Sequence, residues 1–148
     1  MAEDSVSDLI KRPHHTALSV RDFEAARRFY VDLLGFRVDG EMERRTDVGP
    51  VVGLPGAVIR WAMLARDGYR IELFRYDEPQ GDMHPQRQCD GGYTHIAFEV
   101  RNVDEVYRRM RTAGYDAVSA PAELRGGASK AFYLRGPEGH VVEFIEIR

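Results

Sequence analysis

Cysteine is almost absent from this chain: Cys89 stands alone, so no intrachain disulfide can form and a reducing compartment is the expected setting. Runs of one charge are absent too. The 21 Lys and Arg are set against 24 Asp and Glu, giving a formal net charge of -3, and no basic run is longer than the pairs Arg27-Arg28, Arg44-Arg45 and Arg108-Arg109. Such a surface has no long-range pull on a phosphate backbone, which removes nucleic acid from the expected partners. No apolar stretch approaches the roughly 20 residues of a membrane span. The start, Met1-Ala2-Glu3-Asp4-Ser5, is acidic and lacks the basic and apolar regions of a signal peptide. A cytoplasmic protein without a membrane partner is therefore expected. The composition of the 148 residues, 43% hydrophobic and 30% charged, suits one globular domain or two small halves that share a core.

The chain contains an echo of itself. Gly92-Tyr93-Thr94-His95-Ile96-Ala97-Phe98-Glu99-Val100-Arg101-Asn102 is answered near the start by His14-His15-Thr16-Ala17-Leu18-Ser19-Val20-Arg21-Asp22. Laying His15 on His95 aligns Ala17 with Ala97, Val20 with Val100, Arg21 with Arg101 and Arg28 with Arg108. A second echo pairs Gly68-Tyr69-Arg70-Ile71-Glu72-Leu73 with Gly139-His140-Val141-Val142-Glu143-Phe144. Each copy begins with a strand that carries a His and ends with a strand that carries a Glu.

Residues 1 to 12 show no periodicity and are expected to be a leader. From His14 to Val20 the residues alternate, with Thr16, Leu18 and Val20 on one face and His15, Ala17 and Ser19 on the other. Asp22 then occupies an N-cap position before Phe23, Ala26, Phe29, Tyr30, Leu33 and Leu34 at helical spacing, and Gly35 can take the left-handed C-terminal position. Phe36 to Met42 is expected to be a strand, and Arg44 to Ala57 a long loop of the kind that often serves as a lid. Val58 to Ala65 and Tyr69 to Tyr76 read as a hairpin turned by Asp67-Gly68. The polar segment 78–91 is expected to link module one, 13–77, to module two, 92–148. The second module repeats the order with strand Thr94 to Val100, helix Asn102 to Ala113, and strands near Ala117, Lys130 to Arg135 and His140 to Ile147. The expected fold class is α+β, two βαβββ modules forming one curved mixed sheet with helices on the outside.

In both first strands the His lies opposite the larger apolar face, and Ala17 and Ala97, two residues on, leave room in front of the imidazoles. A lone His or a lone strand Glu is read as a hydrogen-bonded or solvated side chain. Two of each at equivalent positions of a repeat have the composition of a metal site. Two carboxylates brought into one cleft repel unless a cation or a proton compensates. Imidazole with carboxylate suits Zn, Ni, Co, Mn or Fe(II). His15, Glu72, His95 and Glu143 are therefore the candidate metal ligands. His14, off the repeat register and expected on the opposite face, together with His84 and His140, is read as structural or solvated, and Trp61, Met63, Phe74 and Phe132 as core packing ahead of pocket wall.

These residues resemble the vicinal oxygen chelate superfamily, which includes glyoxalase I, methylmalonyl-CoA epimerase, extradiol dioxygenases and the fosfomycin and bleomycin resistance proteins. The resemblance runs from about Pro13 to Ile147 and rests on His15 to Val20, Phe29-Tyr30 through Leu34-Gly35-Phe36, Ile71-Glu72-Leu73, His95 to Phe98, and Gly136-Pro137-Glu138-Gly139-His140-Val141-Val142-Glu143-Phe144. It implies a single domain over 13–148, a homodimer, and metal ligands at the same four residues. Two His with two Glu is similar to the bacterial glyoxalase I ligand set; the epimerases have Gln where Glu72 stands. Two positions depart from glyoxalase I, which has Arg and Asn where this chain has Ser19 and Tyr76, the residues used there to hold glutathione.

The first reading is thus a metal-dependent lyase or isomerase of glyoxalase type. Its substrate is a small molecule with vicinal oxygens other than the glutathione hemithioacetal, with Ni, Co, Zn or Mn as cofactor and Glu143 or Glu72 as the proton-transferring base. The second is a dioxygenase with Fe(II) held by His15, His95 and Glu143. The third is a binding module that sequesters an antibiotic or another small ligand without chemistry.

Overall fold

The computed structural model describes residues 5–148, and the chain divides into two compact units, one ending at Gly81 and one running Asp82–Arg148. Residues 5–15 form no helix or strand. The first unit then runs β1 (Thr16–Ser19), α1 (Phe23–Arg28), β2 (Arg37–Arg45), the short α2 (Gly49–Val52), β3 (Val58–Arg66) and β4 (Tyr69–Glu78). Its sheet has the order β1-β4-β3-β2, with β1 parallel to β4 and the other pairs antiparallel.

Leu18 and Val20 are buried while Ala17 and Ser19 are exposed, which is the alternation a half-covered strand requires. Asp22 caps α1 by accepting from Ala25 N at 2.9 Å. Past Arg28 the helix widens into a π turn over Phe29–Leu33, where Leu34 N bonds back to Phe29 O, and Gly35 ends it at φ +73°. Phe23, Ala26, Phe29 and Tyr30 are buried as their spacing predicts, but Leu33 is 43% exposed. The wider turn rotates the last residues away from the 3.6-residue period, so the apolar stripe stops at Tyr30. The β3–β4 turn has Asp67 at φ +49° and Gly68 at φ +80°, both left-handed, as a two-residue hairpin needs.

The second unit runs β5 (Ile96–Glu99), α3 (Val103–Thr112), β6 (Asp116–Ala117), β7 (Ala122–Leu124), β8 (Ser129–Arg135) and β9 (Val141–Ile147). Its sheet has the order β5-β9-β8-β6, with β7 also paired to β8. Asn102 caps α3 through Glu105 N at 3.0 Å, and Gly114 at φ +93° follows the helix. Phe132 is core, 2% exposed, with Tyr107 and Phe144 against its ring at 5.2 and 5.4 Å between centroids. The long β2 of the first unit has no single counterpart here. Its place on the neighbouring strand is taken by β6 and β7, which flank Pro121, a residue without a backbone N–H to give a ladder. The class is α+β as expected, and the hydrogen-bonded strands form two mixed sheets, one in each unit.

Candidate metal centre

The register shows why the echo in the sequence has chemical meaning. Ala17 on β1 is level with Glu72 on the parallel β4, and Ala97 on β5 is level with Glu143 on the parallel β9. In each unit the His stands two residues before that alanine, on the same face, so it leans over a methyl group toward the carboxylate. His15 Nε2 lies 2.7 Å from Glu72 Oε2, and His95 Nε2 lies 3.1 Å from Glu143 Oε2.

The structure therefore brings together His15 with Glu72 and His95 with Glu143. Among the described residues it forms no group of three or more His, Cys, Asp or Glu side chains close enough to hold a metal ion. The donor chemistry suits a divalent cation: imidazole nitrogens and carboxylate oxygens that converge on one another. The imidazoles remain reachable, at 34% and 27% side-chain exposure, while the carboxylates beneath them are 10% and 13% exposed.

Each His is oriented through its other nitrogen. Arg70 Nη1 donates to His14 Nε2 at 3.2 Å, and a guanidinium cannot accept, so a neutral His14 carries its proton on Nδ1. That proton goes to His15 Nδ1 at 2.8 Å, which leaves the His15 Nε2–H facing Glu72. His14 thus sits against His15 with ring centroids 5.1 Å apart, and not on the opposite side as the strand alternation suggests. The reason is that both residues precede β1, where no ladder enforces the alternation. In the second unit the Thr94 hydroxyl lies 2.9 Å from His95 Nδ1 and plays the orienting part.

The neighbours of the two carboxylates differ. Glu72 Oε1 accepts from Trp61 Nε1 at 2.6 Å, a bond across the β3–β4 hairpin. Glu143 is level with Tyr133 on β8, whose ring lies 4.8 Å from that of His95. Burial first, and then the negative charge of Glu143, push the Tyr133 phenol above its ordinary value, so it stays a neutral hydroxyl at physiological pH. Sequence reasoning placed Trp61 in core packing ahead of pocket wall and missed Tyr133. The signal for Tyr133 was available, since a hairpin register that places Met63 opposite Glu72 places Tyr133 opposite Glu143.

The remaining candidates fall outside the pairs. His84 is exposed, and His140 lies 3.2 Å through Nδ1 from Pro137 O and packs edge-on against Tyr93. Met63 and Phe74 are half-buried on the Glu72 face of the first sheet. Tyr76, with Trp61 and Phe74, packs on Val48, Ala57 and Ile59, so the loop after β2 lies over an apolar wall on the Glu72 side of the sheet. Ser19 is exposed at the end of β1.

The family model for the Glyoxalase/Bleomycin resistance protein/Dioxygenase superfamily matches residues 12–144. The protein YaeR of Escherichia coli (strain K12) is 33% identical over 140 residues, covering 93% of this chain and 97% of that one. A lactoylglutathione lyase of Salmonella typhimurium is 24% identical over 134 residues, covering 90% of this chain and 91% of the enzyme. A crystal structure of a glyoxalase family protein from Bacillus cereus superposes with a TM-score of 0.85 at 24% identity, over 99% of this chain and 98% of that one.

Proposed function

The chain belongs to the Glyoxalase/Bleomycin resistance protein/Dioxygenase superfamily, and from that membership we propose that it is a metal-dependent lyase or isomerase of the glyoxalase type. In this reading it moves a proton on a small substrate with vicinal oxygens. The observation that carries the proposal is the matched pair of contacts, His15 with Glu72 at 2.7 Å and His95 with Glu143 at 3.1 Å, at identical strand register. Two neutral imidazoles and two carboxylates carry two negative charges, which would balance a divalent ion. Residues that only filled a surface would not need to repeat in this way.

His15, Glu72, His95 and Glu143 would hold the ion, with Ni, Co, Zn or Mn as the candidates. When bound it supplies Lewis acidity, which makes a carbon-bound proton beside the substrate oxygens more acidic. The chain's own part is to accept and return that proton at a carboxylate oxygen of Glu143 or Glu72, a contribution of about 10² to 10⁴ in rate. The buried bases of the two carboxylates and the apolar wall at Phe74 and Tyr76 keep bulk water from competing for the proton.

Ser19 and Tyr76 support a substrate other than the glutathione hemithioacetal. One presents a small hydroxyl and the other a ring packed on the Val48, Ala57 and Ile59 cluster, where glyoxalase I has an Arg and an Asn for glutathione. A second copy of the chain, forming a homodimer, belongs to the same proposal. The Fe(II) dioxygenase reading would leave Glu72 spare, whereas Glu72 is buried and has a partner on each oxygen, which favours its use as a ligand.

Elemental analysis of protein purified without chelator, beside Glu143→Ala, tests the reading. About one Ni, Co, Zn or Mn per site, lost in the variant, is the expected result. Iron together with O₂ consumption would move the assignment to the dioxygenase. No metal bound, and none taken up on addition of these ions, would leave the ligand-binding protein.

A further inference from the structure

Trp61 is the only tryptophan in the chain, and its ring is held at the Glu72 pair from three directions. On β2, Gly40 lies beneath its six-membered ring: a Cβ there would stand 3.3 Å from Trp61 Cη2 and 3.4 Å from Cζ3, tighter than ordinary contact. The Arg45 guanidinium lies over the ring at 5.1 Å from its centroid and is itself fixed by Asp47 at 2.7 Å. On the remaining side the ring packs on the Val48, Ala57 and Ile59 cluster. The outcome of this packing is a polar one, an indole N–H aimed at Glu72 Oε1 from 2.6 Å.

We propose that Trp61 is a positioning residue for metal binding, fixing Oε1 of Glu72 so that Oε2 is the oxygen presented beside His15. The inference rests on the ligand role proposed above for Glu72. A carboxylate on a two-carbon stem can rotate either oxygen toward a cation. A donor locked on one oxygen removes that freedom before the ion arrives, and such outer-shell hydrogen bonds commonly change metal affinity by 10- to 100-fold. Among the described residues the brace is found in the first unit alone. Trp61 is level with Phe74, two residues past Glu72, and the corresponding position level with Ile145, two residues past Glu143, is Ala131.

Trp61→Phe keeps an aromatic ring at this position of β3 and removes the N–H. Zinc affinity of the metal-free protein, measured by competition with a chromophoric chelator, is expected to fall about 10- to 100-fold in the variant, while its thermal midpoint without metal stays within a few degrees of the parent. In the parent, Trp61 emission is expected to shift as zinc saturates, because the acceptor of its N–H changes charge density. Zinc itself is diamagnetic and does not quench. Equal zinc affinity in the folded variant overturns the inference and leaves the proposed function standing. If the variant fails to fold, parent emission decides: an unchanged spectrum at saturating zinc overturns the inference. A parent that binds none of Zn, Mn, Ni or Co overturns the proposed function itself, a result distinct from either of these.

Discussion

The two units place the same pair of side chains at the same strand register and then support them by different means. In the first, a chain of contacts runs from Arg70 through His14 and His15 to Glu72 and on to Trp61. In the second, Thr94, His95 and Glu143 form a shorter chain with the Tyr133 ring laid against the imidazole. The helices differ in the same spirit. The start of α1 is fastened by Arg60, which lies over the Phe23 ring at 4.3 Å and pairs with Glu24 at 2.5 Å. The start of α3 is fastened by Glu146 from β9, which accepts from Val103 N at 2.9 Å. A repeated backbone thus fixes where the site residues stand, while unrepeated neighbours decide how firmly each is held.

The comparison can be broken first at the core. Leu64 on β3 and Leu134 on β8 are level with Ile71 and Val142, occupy matching positions and are fully buried. Leu64→Ala and Leu134→Ala should each cost about 2–5 kcal/mol, read from urea unfolding. A cost that differs by more than this range between them would show that the units are equivalent in backbone but not in packing.

The helix caps give a finer test. Asp22 accepts from Ala25 N, and Asn102 accepts from Glu105 N, three residues on in each case. Asp22→Ala and Asn102→Ala are each expected to cost about 0.5–2 kcal/mol, measured the same way. The smallest effect separates the helices by pH. Glu105, which aligns with Ala25, has its pKa lowered from 4.5 to about 2 by hydrogen bonds from Arg108 and then Arg109. A carboxyl depressed on folding contributes above its unfolded value, and the contribution fades as pH falls from about 4.5 toward 2. The protection of α3 amides, corrected for the intrinsic pH dependence of exchange, should therefore fall over that window, and Glu105→Ala should abolish the change.

Much of this architecture was legible because it is written in local chemistry. The cap at Asp22, the left-handed glycine at Gly35 and the Asp67-Gly68 turn are each dictated by a few adjacent residues. The strand β7 escaped notice because three residues that follow a proline carry no period. The π turn escaped because it leaves the residue types of α1 unchanged and alters only which of them face inward.

For the site, the echo of His-x-Ala and of Gly-x-x-x-Glu by itself determined which four residues to consider, since a repeat constrains position without any knowledge of contacts. Only the tertiary structure decided that His15 and Glu72, and His95 and Glu143, meet across parallel strands, and that Trp61 grips Glu72 where the matching position of the second unit holds Ala131. The physical reason is range. Caps and turns are settled among a few adjacent residues, whereas a hydrogen bond across a hairpin depends on strand register, on an absent side chain at Gly40 and on a cation stacked from Arg45, none of which is adjacent in sequence.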